Sequence, residues 1–409
     1  MAQAIDILNQ NIFLNRLKEM RGHGGSILTH GINDDLISDF LNEDIDLQTA
    51  INNGYSAFNE LKISHPEFLK ANEQEQINLA QQNIVNFYAK DMVNPYLAIS
   101  AAGPWIVTLK GAIIYDCGGY GMLGLGHTPD IALDAMNQPH VMANIMTPSI
   151  SQMKFIQTLK KEIGQGREIT NNFSEFCCLN SGSESVSIAA RLADVNAKEL
   201  TSKGALHEGK TIGRLTLSGS FHGRTDRPAQ FSHSTQKSYK NHLKSFENIS
   251  LFTVAPNNIE ELNEVFIKAK KENIFIEAFF MEPVMGEGNP GQAITPEFYK
   301  RARELTQKNG TLLLIDSIQA GLRAHGVLSI IDYPGFEGLD CPDMETYSKA
   351  LNAGQYPLSV LAMTGKAAEL YRSGLYGNTM TTNPRALDVA IAVLENLSPN
   401  IRKNILNKN

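Results

Sequence analysis

From about residue 131 onward the sequence predicts an α/β fold, with a mostly parallel sheet flanked by helices. Two observations carry that prediction. Short apolar runs of strand length alternate with amphipathic stretches of helical period. Strands separated by helices imply a mostly parallel sheet covered on both faces. The strand candidates in order are Phe176–Leu179, Leu215–Leu217, Leu251–Val254, Ile274–Met281, Leu312–Ile315 and Leu358–Ala362. Helical patterns lie between them, at Ser183–Lys198, Ile259–Lys271 and Pro296–Lys308. Before this region, Trp105 to Cys117 alternates apolar residues around Lys110-Gly111 and predicts a hairpin. Residues 1 to about 90 read as helical and polar, with Ile5, Leu8, Ile12 and Phe13, then Leu79, Ile84, Val85 and Tyr88, at helical spacing. The expected division is therefore 1–90 as an N-terminal helical region, 91–130 as part of a small domain with the hairpin, and 131–395 as the large domain. Residues 396–409 would start a further small domain.

Composition narrows the class. At 409 residues with 42% hydrophobic and 19% charged residues, the chain is an ordinary globular protein. Its net charge of −7 argues against a general nucleic-acid or anionic-membrane partner. The start, Met1-Ala-Gln-Ala-Ile-Asp, lacks the basic and apolar segments of a secretion signal, and no stretch is apolar for long enough to span a bilayer. Cys117, Cys177, Cys178 and Cys341 show neither zinc-ligand nor disulfide spacing. Reduced thiols in a cytoplasmic protein, with no metal, are expected.

In open α/β sheets ligands bind beyond the carboxyl ends of the strands, and the chemically suggestive residues fall there. Asn180-Ser181-Gly182-Ser183-Glu184 follows one strand and opens a helix, which suits an anion such as phosphate; a plain capping box explains the same letters. Phe221-His222-Gly223-Arg224 follows another strand and offers an aromatic face and a cation. Glu282 and Glu287 close the run ending at Met281 and can orient a substrate amine or neutralise an arginine. Asp316 directly follows Leu-Leu-Leu-Ile, where a charge is rarely buried unless paired. A carboxylate there can keep a pyridine nitrogen protonated; a helix cap is the simpler alternative. Lys349 adds an amine which, shielded from water, becomes a Schiff-base former. Lys349 and Asp316 together are the groups a pyridoxal 5′-phosphate enzyme needs most.

Over residues 95 to 397 the sequence resembles the class-III, ornithine and omega-amino-acid group of pyridoxal-phosphate aminotransferases, fold type I. The resemblance rests on ordered motifs: Gly124-Leu-Gly-His127, Asn180-Ser-Gly-Ser-Glu184, Phe221-His-Gly-Arg224, Glu282-Pro-Val-Met-Gly-Glu287, Asp316-Ser-Ile-Gln319, Ser348-Lys349-Ala-Leu, and Gly377-Asn-Thr379 before Asn383-Pro384. It implies a seven-stranded sheet and a transaminase moving an amino group from an amine or omega-amino acid to a keto acid. By position, Lys349 would be the Schiff-base lysine and Asp316 the partner of the pyridine nitrogen. Gln319 would meet the ring's phenolic oxygen and Phe221 would stack on the ring beside His222. Ser181, Gly182 and Ser183 would hold the phosphate. Asn378 and Thr379 would reach the phosphate of a neighbouring subunit, which implies a homodimer with shared sites. Tyr120, Arg224, Glu282 and Glu287 match substrate-side positions, with Arg224 as carboxylate clamp.

Two departures stand out. The family's usual Asp-Glu-Val-Gln is Asp316-Ser-Ile-Gln here, which leaves the support of Asp316 open. The chain ends at Asn409, soon after the helical stretch following Asn383-Pro384, so a truncated C-terminal small domain is expected. A nicotinamide enzyme is a poor rival. Gly119-Tyr-Gly-Met-Leu-Gly124 spells the glycine motif, but Pro129 interrupts any helix and no acidic residue follows at the required distance. Racemase, aminomutase and decarboxylase reactions, or a catalytically impaired relative, share the same fold and lysine.

Overall fold

The computed structural model describes residues 2–118, 122, 124–142, 145–165 and 173–408, with side chains from residue 11. The chain forms two compact units, one of residues 1–119 with 125–130 and one of 120–124 with 131–409.

In the first unit, α1 (Ala2–Gly22), α2 (Asp34–Leu41), α3 (Ile45–Ser64), α4 (Pro66–Lys70) and α5 (Glu73–Ala80) pack with an antiparallel sheet of β1 (Ala98–Ala102), β2 (Trp105–Thr108) and β3 (Ile113–Tyr115). The regions 1–90 and 91–130 thus share one core, in which Leu47, Ile51 and Phe58 of α3 are buried with Trp105 and Val107 of β2. Asn33, Asp44 and Asn72 cap α2, α3 and α5 by accepting first-turn N–H bonds. The Lys110-Gly111 hairpin is present, β2 pairing antiparallel with β3. The helical spacing through Tyr88 does not hold. Helix α5 stops at Ala80, Asn83 takes a left-handed backbone at φ 66°, and Ile84 and Val85 are exposed rather than packed.

The second unit carries the seven-stranded sheet. Its strands are β4 (Phe173–Leu179), β5 (Thr211–Leu217), β6 (Leu251–Val254), β7 (Ile274–Met281), β8 (Leu312–Asp316), β9 (Met344–Tyr347) and β10 (Ser359–Thr364), in the order β4-β10-β9-β8-β7-β5-β6. Neighbours from β6 through β9 are parallel, whereas β10 runs antiparallel to both β9 and β4. The helices are α6 (Asp130–Met136), which begins at the end of the first unit, α7 (Ile150–Glu162), α8 (Gly182–Thr201), α9 (Asp226–Phe231), α10 (Gln236–His242), α11 (Ile259–Lys271), α12 (Pro296–Asn309), α13 (Gly365–Ala368), α14 (Pro384–Asn396) and α15 (Pro399–Lys408).

Side chains alternate across the sheet, so it supports two cores. One face buries Ile315, Tyr347 and Ala362 with α11, α12 and α14; the other buries Leu314, Met344 and Leu361 against α8. Residues 403–408 form the last turns of α15. That helix is tied down by Arg402, which donates to both oxygens of the nearly buried Glu162 at 2.7 and 2.9 Å and to the carbonyls of Gly326 and Leu397. Among the described residues no helix is long and apolar enough to cross a membrane.

Candidate active site

The strand ends of β4, β5, β7, β8 and β9 bring the predicted residues to one cavity of about 420 Å³. Its walls include Ser181, Gly182, Ser183, Phe221, His222, Glu282, Asp316, Gln319 and Lys349.

At the end of β4, Ser181 is the N-cap of α8 and both halves of a capping box are formed. Ser181 Oγ accepts from Glu184 N, while Glu184 Oε2 accepts from Asn180 N (2.8 Å) and Ser181 N (3.0 Å). The capped-turn reading holds, and it leaves the anion-site reading open. The box uses the Ser181 hydroxyl, and the N–H groups of Gly182 and Ser183, first in the helix, stand outside the helical ladder at the cavity wall. Burial raises the Glu184 carboxyl, but donors from Tyr376, Asn378 and the two N–H groups outweigh it and hold the carboxyl below the usual range. Asn378 Nδ2 meets Glu184 Oε1 at 2.7 Å; Thr379 is exposed, and neither residue lines the cavity.

Asp316, 4% exposed, ends β8. Its Oδ2 lies 2.8 Å from His222 Nδ1, and its Oδ1 accepts from Ile318 N (3.2 Å) and Thr346 Oγ1 (3.3 Å). His222 Nε2 lies 3.1 Å from Thr216 Oγ1, so the imidazole is fixed at both nitrogens. A carboxylate has about four acceptor positions, which leaves capacity for one more donor from the cavity.

Lys349 follows β9 in the left-handed region at φ 46°, an uncommon conformation for a residue with a Cβ. Burial pushes its amine down from the ordinary lysine value; the charge of Asp316 opposes this and that of Arg323 adds to it. Its Nζ donates to Gln319 Oε1 at 3.4 Å. A Cβ at Gly286 would meet that same Gln319 oxygen at 2.0 Å, so a larger residue there would displace the Gln319 side chain.

The substrate-side expectations are placed differently. Glu282 is 4% exposed and points both oxygens at backbone, accepting from Phe221 N (3.0 Å) and Gly286 N (2.9 Å). Burial pushes its carboxyl up to about 7; His222 opposes and Asp316 reinforces that rise. It holds the Phe221 segment from behind, so it is not a free group waiting for an amine. Arg224 Nη2 meets Glu287 Oε1 at 2.6 Å, and the guanidinium sits 5.1 Å from the Phe221 ring centroid. Neither Arg224 nor Glu287 lines the cavity. The expected carboxylate clamp and an acid expected to neutralise an arginine thus pair with each other. Tyr120 lies outside the described residues. Thr346, Asn352 and Tyr356 were not singled out from sequence. Only Thr346 carried a usable signal, three residues before Lys349 in a run of strand length.

Sheet, strand-end cavity, half-buried lysine and paired aspartate define the class of a fold-type-I pyridoxal-phosphate enzyme. Residues 87–408 match the aminotransferase class-III family, and the chain belongs to it. Pyridoxal 5′-phosphate is the cofactor of that family, and its chemistry is transamination. The chain is 27% identical over 321 residues to an acetylornithine aminotransferase of Prochlorococcus marinus, covering 75% of this chain and 69% of that protein. It is 27% identical over 326 residues to an ornithine aminotransferase of Staphylococcus epidermidis, covering 76% and 74%. The crystal structure of the ornithine aminotransferase of Toxoplasma gondii matches its fold with a TM-score of 0.64 at 22% identity, covering 84% of this chain and 75% of that one. Racemases, aminomutases and decarboxylases gain no support from these relatives.

Proposed function

We propose that this chain transfers the amino group of an omega-amino acid or diamino acid to a keto acid, with Lys349 as the residue that binds the cofactor covalently. The observation carrying this is that Lys349, Asp316 and the first N–H groups of α8 line one cavity. Those residues fit pyridoxal phosphate. Gly182 and Ser183 present N–H donors for the phosphate, Phe221 offers a ring face, and Asp316 keeps acceptor capacity for a protonated ring nitrogen. When bound, the cofactor supplies an electrophilic carbon and an electron sink.

Each side chain has a task. Burial lowers the Lys349 amine from the ordinary lysine value, which favours Nζ as the nucleophile and as the group that would take and return the proton at the amine-bearing carbon. Asp316, fixed by His222, Thr346 and Ile318 N, stabilises positive charge on the ring nitrogen. Glu282 fixes the Phe221 backbone. The names of the two relatives point to ornithine-like donors, and 2-oxoglutarate or pyruvate is the expected class of acceptor. Asn378 and Thr379 would complete a neighbouring copy's phosphate site, giving a homodimer, and the chain would act in the cytoplasm with its thiols reduced.

The deciding experiment reduces the purified protein with borohydride in the presence of pyridoxal phosphate and maps the labelled peptide. Label on Lys349, and amino transfer from ornithine-like donors to a keto acid, are expected. Label elsewhere, or no transfer to any keto acid, would sink the proposal.

A further inference from the structure

Behind Asp316, on the opposite face of the sheet, lies a fully buried carboxyl that the reaction does not use. Glu345 is 0% exposed in the middle of β9, level with Ile315 of β8 and Ala362 of β10. Burial raises its carboxyl to about 7 against the hydrogen bonds it receives. Its Oε1 accepts from Ser317 Oγ at 2.5 Å and Ile330 N at 2.9 Å, and its Oε2 accepts from Ser329 Oγ. A buried carboxyl with this many directed partners is costly to place and specific in geometry. Ser317 is the residue directly after Asp316, and it occupies the position where the family resemblance implies a glutamate. Its own N–H donates to Thr346 O at 3.1 Å, and Thr346 Oγ1 in turn donates to Asp316.

We propose that Glu345 is a positioning residue for Asp316: β9 supplies the carboxyl missing at position 317, and through Ser317 it holds the Asp316–Gln319 segment against the cofactor cavity. The inference rests on Asp316 partnering the ring nitrogen. It deepens that reading by assigning the support of Asp316 to the next strand. Glu345 touches neither cofactor nor substrate, and acts by limiting where the strand end can sit.

The test uses the full chain and three variants. Glu345→Gln keeps the shape and removes one acceptor. Ser317→Ala cuts the link while leaving Glu345 its contacts to Ser329 and Ile330. The exchange Ser317→Glu with Glu345→Ser returns one carboxyl and one hydroxyl to the same face from opposite strands. The readouts are pyridoxal-phosphate affinity by absorbance titration and the unfolding midpoint of the cofactor-free protein. Both single variants should bind the cofactor about tenfold more weakly, and the exchange should restore affinity to within about threefold. If Glu345→Gln fails to fold, Ser317→Ala and the exchange decide. Wild-type affinity in Ser317→Ala, or a lowered midpoint with unchanged affinity in the single variants, would overturn the inference. Asp316→Asn is the control. Wild-type cofactor affinity and spectrum in that variant would overturn the reading of the site itself; a normal Asp316→Asn loss with no effect at Ser317 and Glu345 would overturn only this step.

Discussion

Glu282→Gln separates the charge of a buried carboxyl from its shape. In the native protein burial lifts this carboxyl from 4.5 to about 7, with Asp316 adding to the rise. At about 1.4 kcal/mol per pH unit, that difference amounts to about 3 kcal/mol. The sign follows from linkage. A carboxyl whose folded value is raised is tolerated fully below its unfolded value, and stability is lost as pH climbs through the folded value. The cost is small at pH 5 and nearly complete at pH 8, so about 2.5 kcal/mol should disappear between them because of this group alone. Glutamine does not titrate. Its single carbonyl can still accept from Phe221 N or Gly286 N, but its amide nitrogen cannot accept from the other, an offset of about 1 kcal/mol for the lost bond.

The assay is urea unfolding of the cofactor-free wild type and Glu282→Gln at pH 5, 6, 7 and 8, taking the difference between the two at each pH. Titrations common to both proteins, including that of Glu345, cancel in the difference. Wild type should be slightly more stable at pH 5, and the variant more stable at pH 8, with a swing of about 2.5 kcal/mol. A difference that stays constant across this range would refute the reasoning, because the carboxyl would then ionise equally well folded and unfolded.

Lys349→Ala should lower turnover at least about 10²-fold while the unfolding midpoint changes little, as checked by coupled assay and thermal unfolding. A Cβ at Gly182 would come within 2.6 Å of Ile318 Cδ1; Gly182→Ala should therefore weaken cofactor binding about tenfold, and Ile318→Val in the same chain should recover most of it in an absorbance titration. Arg402→Ala strands the nearly buried Glu162 carboxylate and should cost about 3 kcal/mol in urea unfolding, with much of the loss recovered by adding Glu162→Gln. Arg224→Ala removes a half-exposed ion pair (38% and 42% accessible) and should change stability by less than about 1 kcal/mol, measured the same way.

What could be read from the letters, and what could not, divides along one physical line. Apolar runs and caps are local, so Ile274–Met281 and Ile259–Lys271 are found with the bounds expected for them. Motifs at strand ends are local too, and Gly182, Phe221, Asp316 and Lys349 reach one cavity because a parallel sheet aligns its carboxyl ends. Strand β9 was not singled out because Glu345 and Thr346 interrupt its apolar pattern, yet both are buried: one supports Asp316 directly and the other meets Ser317. Arg224 looked like a clamp because its partner stands 63 residues away, and only the fold brings Glu287 within 2.6 Å. Glu282 looked like a substrate group because sequence cannot show that backbone N–H groups already claim both oxygens. A charged side chain is therefore the least legible kind of residue here, since its role depends on which distant donor satisfies it. For the same reason, the Ser317 departure weakens the site only if the lost carboxyl must come from the same strand. The register that sets Glu345 beside Ile315 lets the next strand supply it.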